Sequence, residues 1–125
     1  MTRTDPMIAV VDDEASVRVA LGRLLRLAGY TVYAFASGEE LLASLDVRVP
    51  SCIVLDVHLP GLSGFDVEQR LRSTARDIPI VFITASDDVS LTRSALQASG
   101  SRLLRKPFSN DALIAAIGDA LANSA

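Results

Sequence analysis

The sequence has little cysteine, histidine, lysine or tryptophan. It contains one cysteine, Cys52, one histidine, His58, no tryptophan, and a single lysine, Lys106, beside eleven arginines. One cysteine excludes an intramolecular disulfide and a thiolate zinc site, so we expect a buried free thiol and a cytoplasmic location. No apolar run approaches the roughly 20 residues that span a bilayer, and the first residues lack the apolar core of a signal peptide. We therefore expect a soluble protein without a membrane partner.

An excess of basic residues is also missing. The chain has 15 acidic and 12 basic residues, a net charge of −3 and no basic run. This balance lacks the electrostatic footprint of a nucleic-acid-binding surface, so we expect no direct nucleic acid binding by this segment. A length of 125 residues with 50% hydrophobic residues predicts one domain over 1–125. Its core should span about 7–121, between a polar lead, 1–6, and a tail, 122–125.

Short apolar runs rich in β-branched residues alternate with amphipathic segments. The runs predict strands at 7–11, 30–35, 52–55, 78–83 and, more weakly, 102–105. Helical spacing of apolar residues predicts helices near 17–28 and 113–121, and a helix with a thin apolar stripe at 88–98. Gly29 should end the first helix, and Ser37 and Glu40 have the spacing of a capping box at the start of the second.

This alternation predicts an α/β fold. Five strands joined by right-handed helical crossovers form a parallel sheet with helices on both faces, a doubly wound (βα)5 three-layer sandwich. In the flavodoxin-like strand order 2-1-3-4-5, the chain reverses direction between strands 1 and 3. Ligands of such sheets bind in the crevice beyond the carboxyl ends of these strands.

Carboxylates lie where strands 1 and 3 end. Asp12 and Asp13 follow strand 1, and Asp56 follows strand 3. Two carboxylates about 4 Å apart repel by roughly 4 kcal/mol at an effective dielectric of about 20, so this edge should bind a cation. Magnesium, or manganese, fits best because these metals prefer oxygen ligands.

A hydroxyl and an ammonium reach the same edge, since strand 4 ends at Thr84 and strand 5 at Lys106. Carboxylates, a metal, a threonine and a lysine suit phosphoryl chemistry on a carboxylate. Asp56 is the candidate nucleophile, and Asp12 and Asp13 are better placed to hold the metal. Lys106 would neutralise phosphoryl charge, and the Thr84 hydroxyl would hydrogen-bond an oxygen of the product.

Four motifs occur in the order found in one family. They are VVDDE at 10–14, DVHLPGLSG at 56–64, Thr84-Ala85, and KPF at 106–108. The chain resembles the response-regulator receiver domain of bacterial two-component phosphorelay signalling, over about 7–121. Within that family it looks most like receivers that precede a LuxR-type DNA-binding domain. Four motifs at their mutual spacings are far more specific than any one alone.

The resemblance implies roles for individual residues. Asp56 would accept phosphate from a sensor histidine kinase or a phosphotransfer protein. Asp13 and Asp56 would bind Mg²⁺ directly, Asp12 partly through water, and the backbone carbonyl of His58 would complete the protein ligands. The domain would promote only its own phosphorylation and dephosphorylation, which makes it a signalling domain rather than an enzyme.

The resemblance also implies a conformational switch. Thr84 would move toward the phosphoryl group and Lys106 would pair with it, changing the surface around the 88–98 helix, strand 5 and the last helix, with homodimerisation as one outcome. Ala85, Leu103 and Pro107 occupy the switch and turn positions, and the Lys106-Pro107 bond is a candidate cis peptide. Two residues depart from the family pattern, because Leu103 replaces the usual Tyr or Phe and Ser99 replaces the usual glycine.

Two other functions fit the same fold. One is a constitutive interaction or dimerisation module that signals without phosphate, against which the intact acidic residues and the lysine argue. The other is a small metal-dependent hydrolase, but a second general base and a Gly-rich nucleotide loop are missing from the sequence.

Overall fold

The computed structural model describes residues 6–74, 76–85 and 102–122. Within these residues a parallel five-stranded sheet has the order β2-β1-β3-β4-β5, as predicted. Its strands are β1 (Met7–Val11), β2 (Thr31–Phe35), β3 (Cys52–Asp56), β4 (Ile80–Thr84) and β5 (Arg102–Arg105). The helices are α1 (Ala15–Leu27), α2 (Gly38–Ser44), α3 (Gly64–Ser73) and the C-terminal helix α4 (Asn110–Ala122). The helix predicted at 88–98, and Ser99, lie outside the described residues.

Two strands begin later than the apolar runs predicted. The Tyr30 N–H donates to the carbonyl of Leu25 at the end of α1, so Tyr30 belongs to the helix terminus and not to β2. Ile78 and Pro79 precede β4 because proline has no N–H to give to the sheet, although its carbonyl accepts from Ile53. The hydrophobic pattern therefore identifies the strands correctly, and local hydrogen bonding decides where they begin.

Alternate strand residues point to opposite faces of the sheet and form two cores. On one face, Ile8, Val54 and Ile83 pack with residues of α1 and α4. On the other face, Ala9 and Phe82 pack with residues of α2 and α3. Every residue of β3 and β4 is buried, as expected for strands covered on both faces. This arrangement is the predicted three-layer sandwich.

The helix ends follow local capping rules, except that the capping box forms at α3 and not at α2. Gly29 has a φ of +99° just after α1, and its N–H donates to the carbonyl of Arg26. Ser37 caps α2, because its hydroxyl oxygen accepts from the Glu40 backbone N–H at 3.1 Å. The Glu40 carboxylate accepts from the Ser37 hydroxyl at 3.5 Å, in place of the bond from the Ser37 backbone N–H that would complete a capping box. The full capping box forms instead at α3, between Ser63 and Asp66.

The crossovers bring the carboxyl ends of β1, β3, β4 and β5 to one edge of the sheet. The register of the strands keeps these ends at one level, because Val11 pairs with Leu55 and Asp56 pairs with Ile83. Thr84 pairs with Arg105, so Lys106 follows directly at the same level. In the described part of the chain, no helix is both long and apolar enough to cross a membrane.

Candidate functional site

Three carboxylates meet at this edge. One oxygen from each of Asp12, Asp13 and Asp56 lies within 4.8 Å of the others. Asp12 is fully buried, Asp56 is nearly so, and Asp13 is exposed. At that separation the two buried carboxylates, those of Asp12 and Asp56, repel by roughly 3.5 kcal/mol or more at an effective dielectric of about 20, whereas water screens the exposed Asp13. The predicted acidic cluster therefore forms, and it needs compensating positive charge.

Backbone N–H groups hold the two buried carboxylates in place. Asp12 Oδ1 accepts from the Glu14 N–H at 2.9 Å, and Asp56 Oδ1 accepts from the His58 N–H at 3.0 Å. Each bond spans two residues, as in an Asx turn, and turns the chain away from the end of its strand. The other oxygen of each carboxylate is left facing the site.

Lys106 supplies the positive charge. Its Nζ lies 2.8 Å from Asp12 Oδ2 and 3.5 Å from Asp56 Oδ2. The Lys106 N–H also donates to the carbonyl of Thr84 at 2.7 Å, which ties the end of β5 to the end of β4. The following peptide bond, Lys106–Pro107, is cis, as predicted. The single lysine of the chain thus bridges the ends of β1 and β3.

The pKa values of two site groups are shifted. Burial raises the pKa of the Asp56 carboxyl, and the His58 N–H and the Lys106 charge offset this only in part, while the Asp12 charge adds to it. Burial lowers the pKa of Lys106, but its bonds to Asp12 and the charge of Asp56 outweigh burial and leave it raised. The Asp56 carboxyl, the candidate nucleophile, therefore takes up a proton more readily than an ordinary aspartate.

The other predicted residues surround this cluster. Thr84 is buried at the end of β4, and Ala85 is exposed just after it. His58 is exposed while its N–H is used by Asp56. Leu103 is half-buried against the core formed with α2 and α3. Pro107 is exposed beside a cleft of about 390 Å³ between α1 and the segment after β5.

Two residues of the site were not assigned a role there from the sequence. A Cβ at Gly64 would lie 2.6 Å from the carbonyl oxygen of Asp56, so glycine at this position lets α3 begin directly against β3. Arg18 contacts the site from α1, because its Nη1 donates to the carbonyl oxygen of Asp12 at 2.7 Å. The only sequence signals were the place of Gly64 at the end of the motif at 56–64 and that of Arg18 four residues after the motif at 10–14.

The donors of this cluster fit a hard divalent cation. All three side chains offer carboxylate oxygens, and among the described residues this is the one cluster of three or more possible ligands. Mg²⁺ prefers such oxygens and usually takes only one or two carboxylates from the protein. Three carboxylates against one ammonium leave a formal charge of −2, which a divalent cation would balance.

Comparison with known proteins identifies the family. A family model described as the response regulator receiver domain matches residues 8–118. The chain belongs to this family. Receiver domains are signalling domains of two-component systems, in which response regulators work with sensor histidine kinases, and they generally bind Mg²⁺ in an acidic pocket.

Individual receiver proteins agree with this assignment. Nodulation protein W of Bradyrhizobium diazoefficiens is 41% identical over 114 residues, which are 91% of this chain and 50% of that protein. Response regulator MprA of Mycobacterium ulcerans is 43% identical over 108 residues, 86% of this chain and 47% of that protein. The crystal structure of a response regulator receiver protein from Burkholderia phymatum is 39% identical, covers 94% of this chain and 96% of its own, and has a TM-score of 0.82. The receiver domain spans about half the length of the curated relatives it matches.

Proposed function

We propose that this receiver domain is a phosphoacceptor, with Asp56 taking a phosphoryl group from the phosphohistidine of a sensor histidine kinase or phosphotransfer protein. One observation carries the proposal. Asp56 ends the buried strand β3 with its carboxylate among those of Asp12 and Asp13, and with the Lys106 ammonium 3.5 Å from Oδ2. A lysine shared between a nucleophilic carboxylate and a metal-binding carboxylate is suited to a group that carries phosphoryl oxygens.

The transfer step needs a nucleophile that is held in one orientation. The His58 N–H fixes Asp56 Oδ1, which leaves Oδ2 to attack the phosphorus atom. As the O–P bond forms, the P–N bond to the donor imidazole breaks and its electron pair returns to the ring nitrogen. The Lys106 ammonium would neutralise one phosphoryl oxygen, and the Thr84 hydroxyl would donate a hydrogen bond to another.

Asp12, Asp13, Asp56 and the backbone carbonyl of His58 would hold the metal. Bound there, Mg²⁺ (or Mn²⁺) would supply positive charge to the phosphoryl oxygens. Before phosphorylation, Lys106 holds the Asp12 and Asp56 carboxylates together and offsets part of their repulsion. This contact holds two of the three carboxylates in place and leaves the Asp13 carboxylate accessible from solvent.

The output would be a change of surface. We propose that phosphorylation alters the surface of the 88–98 segment, β5 and α4, and that one result is homodimerisation. Leu103 in β5 packs into the core beside α2 and α3, so an aromatic ring at this position is not needed to connect β5 with the interior. The single receiver domain itself would act in the cytoplasm and contact neither nucleic acid nor membrane.

A direct test uses a small phosphodonor such as acetyl phosphate, with and without Mg²⁺, and intact-mass measurement. Wild type should gain one phosphoryl group only with metal, and Asp56→Asn should gain none. Asp119→Asn is the matched control, because it makes the same change on an exposed position of α4 and should behave as wild type. If folded wild type binds Mg²⁺ but gains no mass, the phosphoacceptor proposal fails and the constitutive interaction module takes its place.

A further inference from the structure

Arg18 contacts the acidic cluster through the backbone. It is the fourth residue of α1, and its Nη1 donates to the carbonyl oxygen of Asp12 at 2.7 Å. This carbonyl belongs to the peptide group that joins Asp12 to Asp13. Hydrogen bonds from a guanidinium are charge-assisted and stronger than neutral ones, so this contact restrains the orientation of that peptide.

Every other polar group of Asp12 is already fixed. Its N–H donates to the carbonyl of Phe35 at 3.2 Å, Oδ1 accepts from the Glu14 N–H, and Oδ2 accepts from Lys106. The Asp12 carbonyl is the remaining group, and the Arg18 side chain holds it. Among residues 6–74, 76–85 and 102–122, none forms a hydrogen bond with the exposed Asp13 side chain, so its direction depends on the peptide that precedes it.

We propose that Arg18 is a positioning residue that fixes the Asp12–Asp13 peptide, directs the Asp13 carboxylate toward Asp12 and Asp56, and so raises the affinity of the cluster for a divalent cation. This inference rests on the metal site of the proposed function. It assigns Arg18 an effect opposite to that of its charge. A positive charge near three carboxylates disfavours a cation, whereas an ordered ligand set favours one.

The two effects predict opposite results when the charge and the hydrogen bond are removed together. Arg18→Met keeps much of the side-chain volume and loses both. If positioning dominates, Mg²⁺ should bind about tenfold more weakly, the lower end of the loss seen when partners of metal ligands are removed. Arg18→Lys keeps the charge but carries it on one ammonium nitrogen of a shorter side chain in place of the planar guanidinium, so its affinity should fall between those of Arg18→Met and wild type.

The measurement is calorimetric titration of the unphosphorylated protein with Mg²⁺. Arg23→Met is the control, because Arg23 is exposed on the same helix and the change removes the same charge. Amide spectra of the metal-free proteins should also show the Asp13 signal shifted in Arg18→Met and not in the Arg23 variant. Urea curves would establish that the Arg18 variants are folded.

The outcomes separate this inference from the proposed function. Equal or tighter Mg²⁺ binding by folded Arg18→Met overturns the positioning role, and so does a wild type that binds no Mg²⁺. If wild type binds Mg²⁺ and accepts no phosphoryl group while Arg18→Met binds the metal more weakly, the positioning role stands and the phosphoacceptor proposal fails.

Discussion

Replacing Lys106 with methionine should destabilise the metal-free protein strongly at neutral pH. At an effective dielectric of about 20, an ammonium 2.8 Å from Asp12 Oδ2 and 3.5 Å from Asp56 Oδ2 is attracted by about 6 and 5 kcal/mol. The cost of burying these charges offsets much of that attraction. Breaking a buried pair by removing one partner typically costs 3–5 kcal/mol, and we expect about 3 kcal/mol because Asp13 keeps one side of the cluster in water.

The loss should depend on pH in a defined direction. The folded-state pKa of Lys106 is raised, so its contribution is complete below its unfolded pKa of about 10.4 and is lost only as the pH rises through the higher folded value. Between pH 4 and pH 7 the carboxylates therefore control the difference. The pKa of Asp56 is raised, and removing Lys106 raises it further, so ionisation of Asp56 opposes folding more strongly in the variant as the pH rises. The gap should be small near pH 4 and largest near pH 7.

Urea unfolding in chelator, followed by circular dichroism at both pH values, measures this gap. Asp12→Asn and the double variant complete a cycle, in which residues in contact should couple by up to about 3 kcal/mol. Added Mg²⁺ should stabilise Lys106→Met more than wild type, because it replaces the missing charge. An equal loss at pH 4 and pH 7 would show that packing of the lysine stem, and not its charge, stabilises the site.

Three further predictions use other parts of the chain. Asp56→Asn should raise the urea midpoint at pH 7 without metal, because the buried Asp56 carboxylate opposes folding when it is ionised. A higher urea midpoint that persisted below about pH 3.9, the pKa of an unfolded aspartate, would contradict this reason. Gly64→Ala should lower the free energy of unfolding in urea by about 1–3 kcal/mol, because the new Cβ would lie 2.6 Å from a backbone oxygen. Gly118→Ala, which places its Cβ in open space within α4, should raise the free energy of unfolding by up to about 1 kcal/mol. A change of the same sign in both variants would refute the close approach of α3. Burial raises the pKa of the Cys52 thiol to about 12. This thiol should therefore react with a thiol reagent in urea and resist it in the native protein. Rapid labelling of the native protein would contradict the burial of Cys52.

The sheet was predictable because its central strands, β1, β3 and β4, are almost entirely buried, as strands covered on both faces are. Such strands appear as continuous apolar runs, and the ends predicted at 7–11 and 102–105 agree with β1 and β5. Once five parallel strands are recognised, topology brings the residues after them to one edge. Asp12, Asp13, Asp56 and Lys106 therefore come together for a reason that is visible in the sequence.

The details of the site depend on packing that spacing does not encode. Lys106 lies closer to Asp12 than to Asp56, although the function predicted for it concerns Asp56. The capping box at α3 uses Asp66 where the usual pattern has Glu or Gln, so the sequence pattern predicts the box at Ser37 instead. Gly64 acquires its role only when α3 docks on the backbone of β3, a contact between segments whose approach is set by the whole core.

The charge balance of the site connects its stability with its proposed chemistry. A single lysine cannot neutralise three carboxylates, and two of these are removed from water. The hydrophobic packing of β1 and β3 must outweigh this repulsion, since apolar residues cover both faces of β1, which precedes Asp12, and of β3, which ends at Asp56. A ligand that binds only the folded state stabilises it by about 2.7 kcal/mol at one hundred times its dissociation constant. The uncompensated negative charge that weakens the metal-free fold therefore favours the binding of a divalent cation. The charge of that cation, together with the Lys106 ammonium, would in turn favour a phosphoryl group.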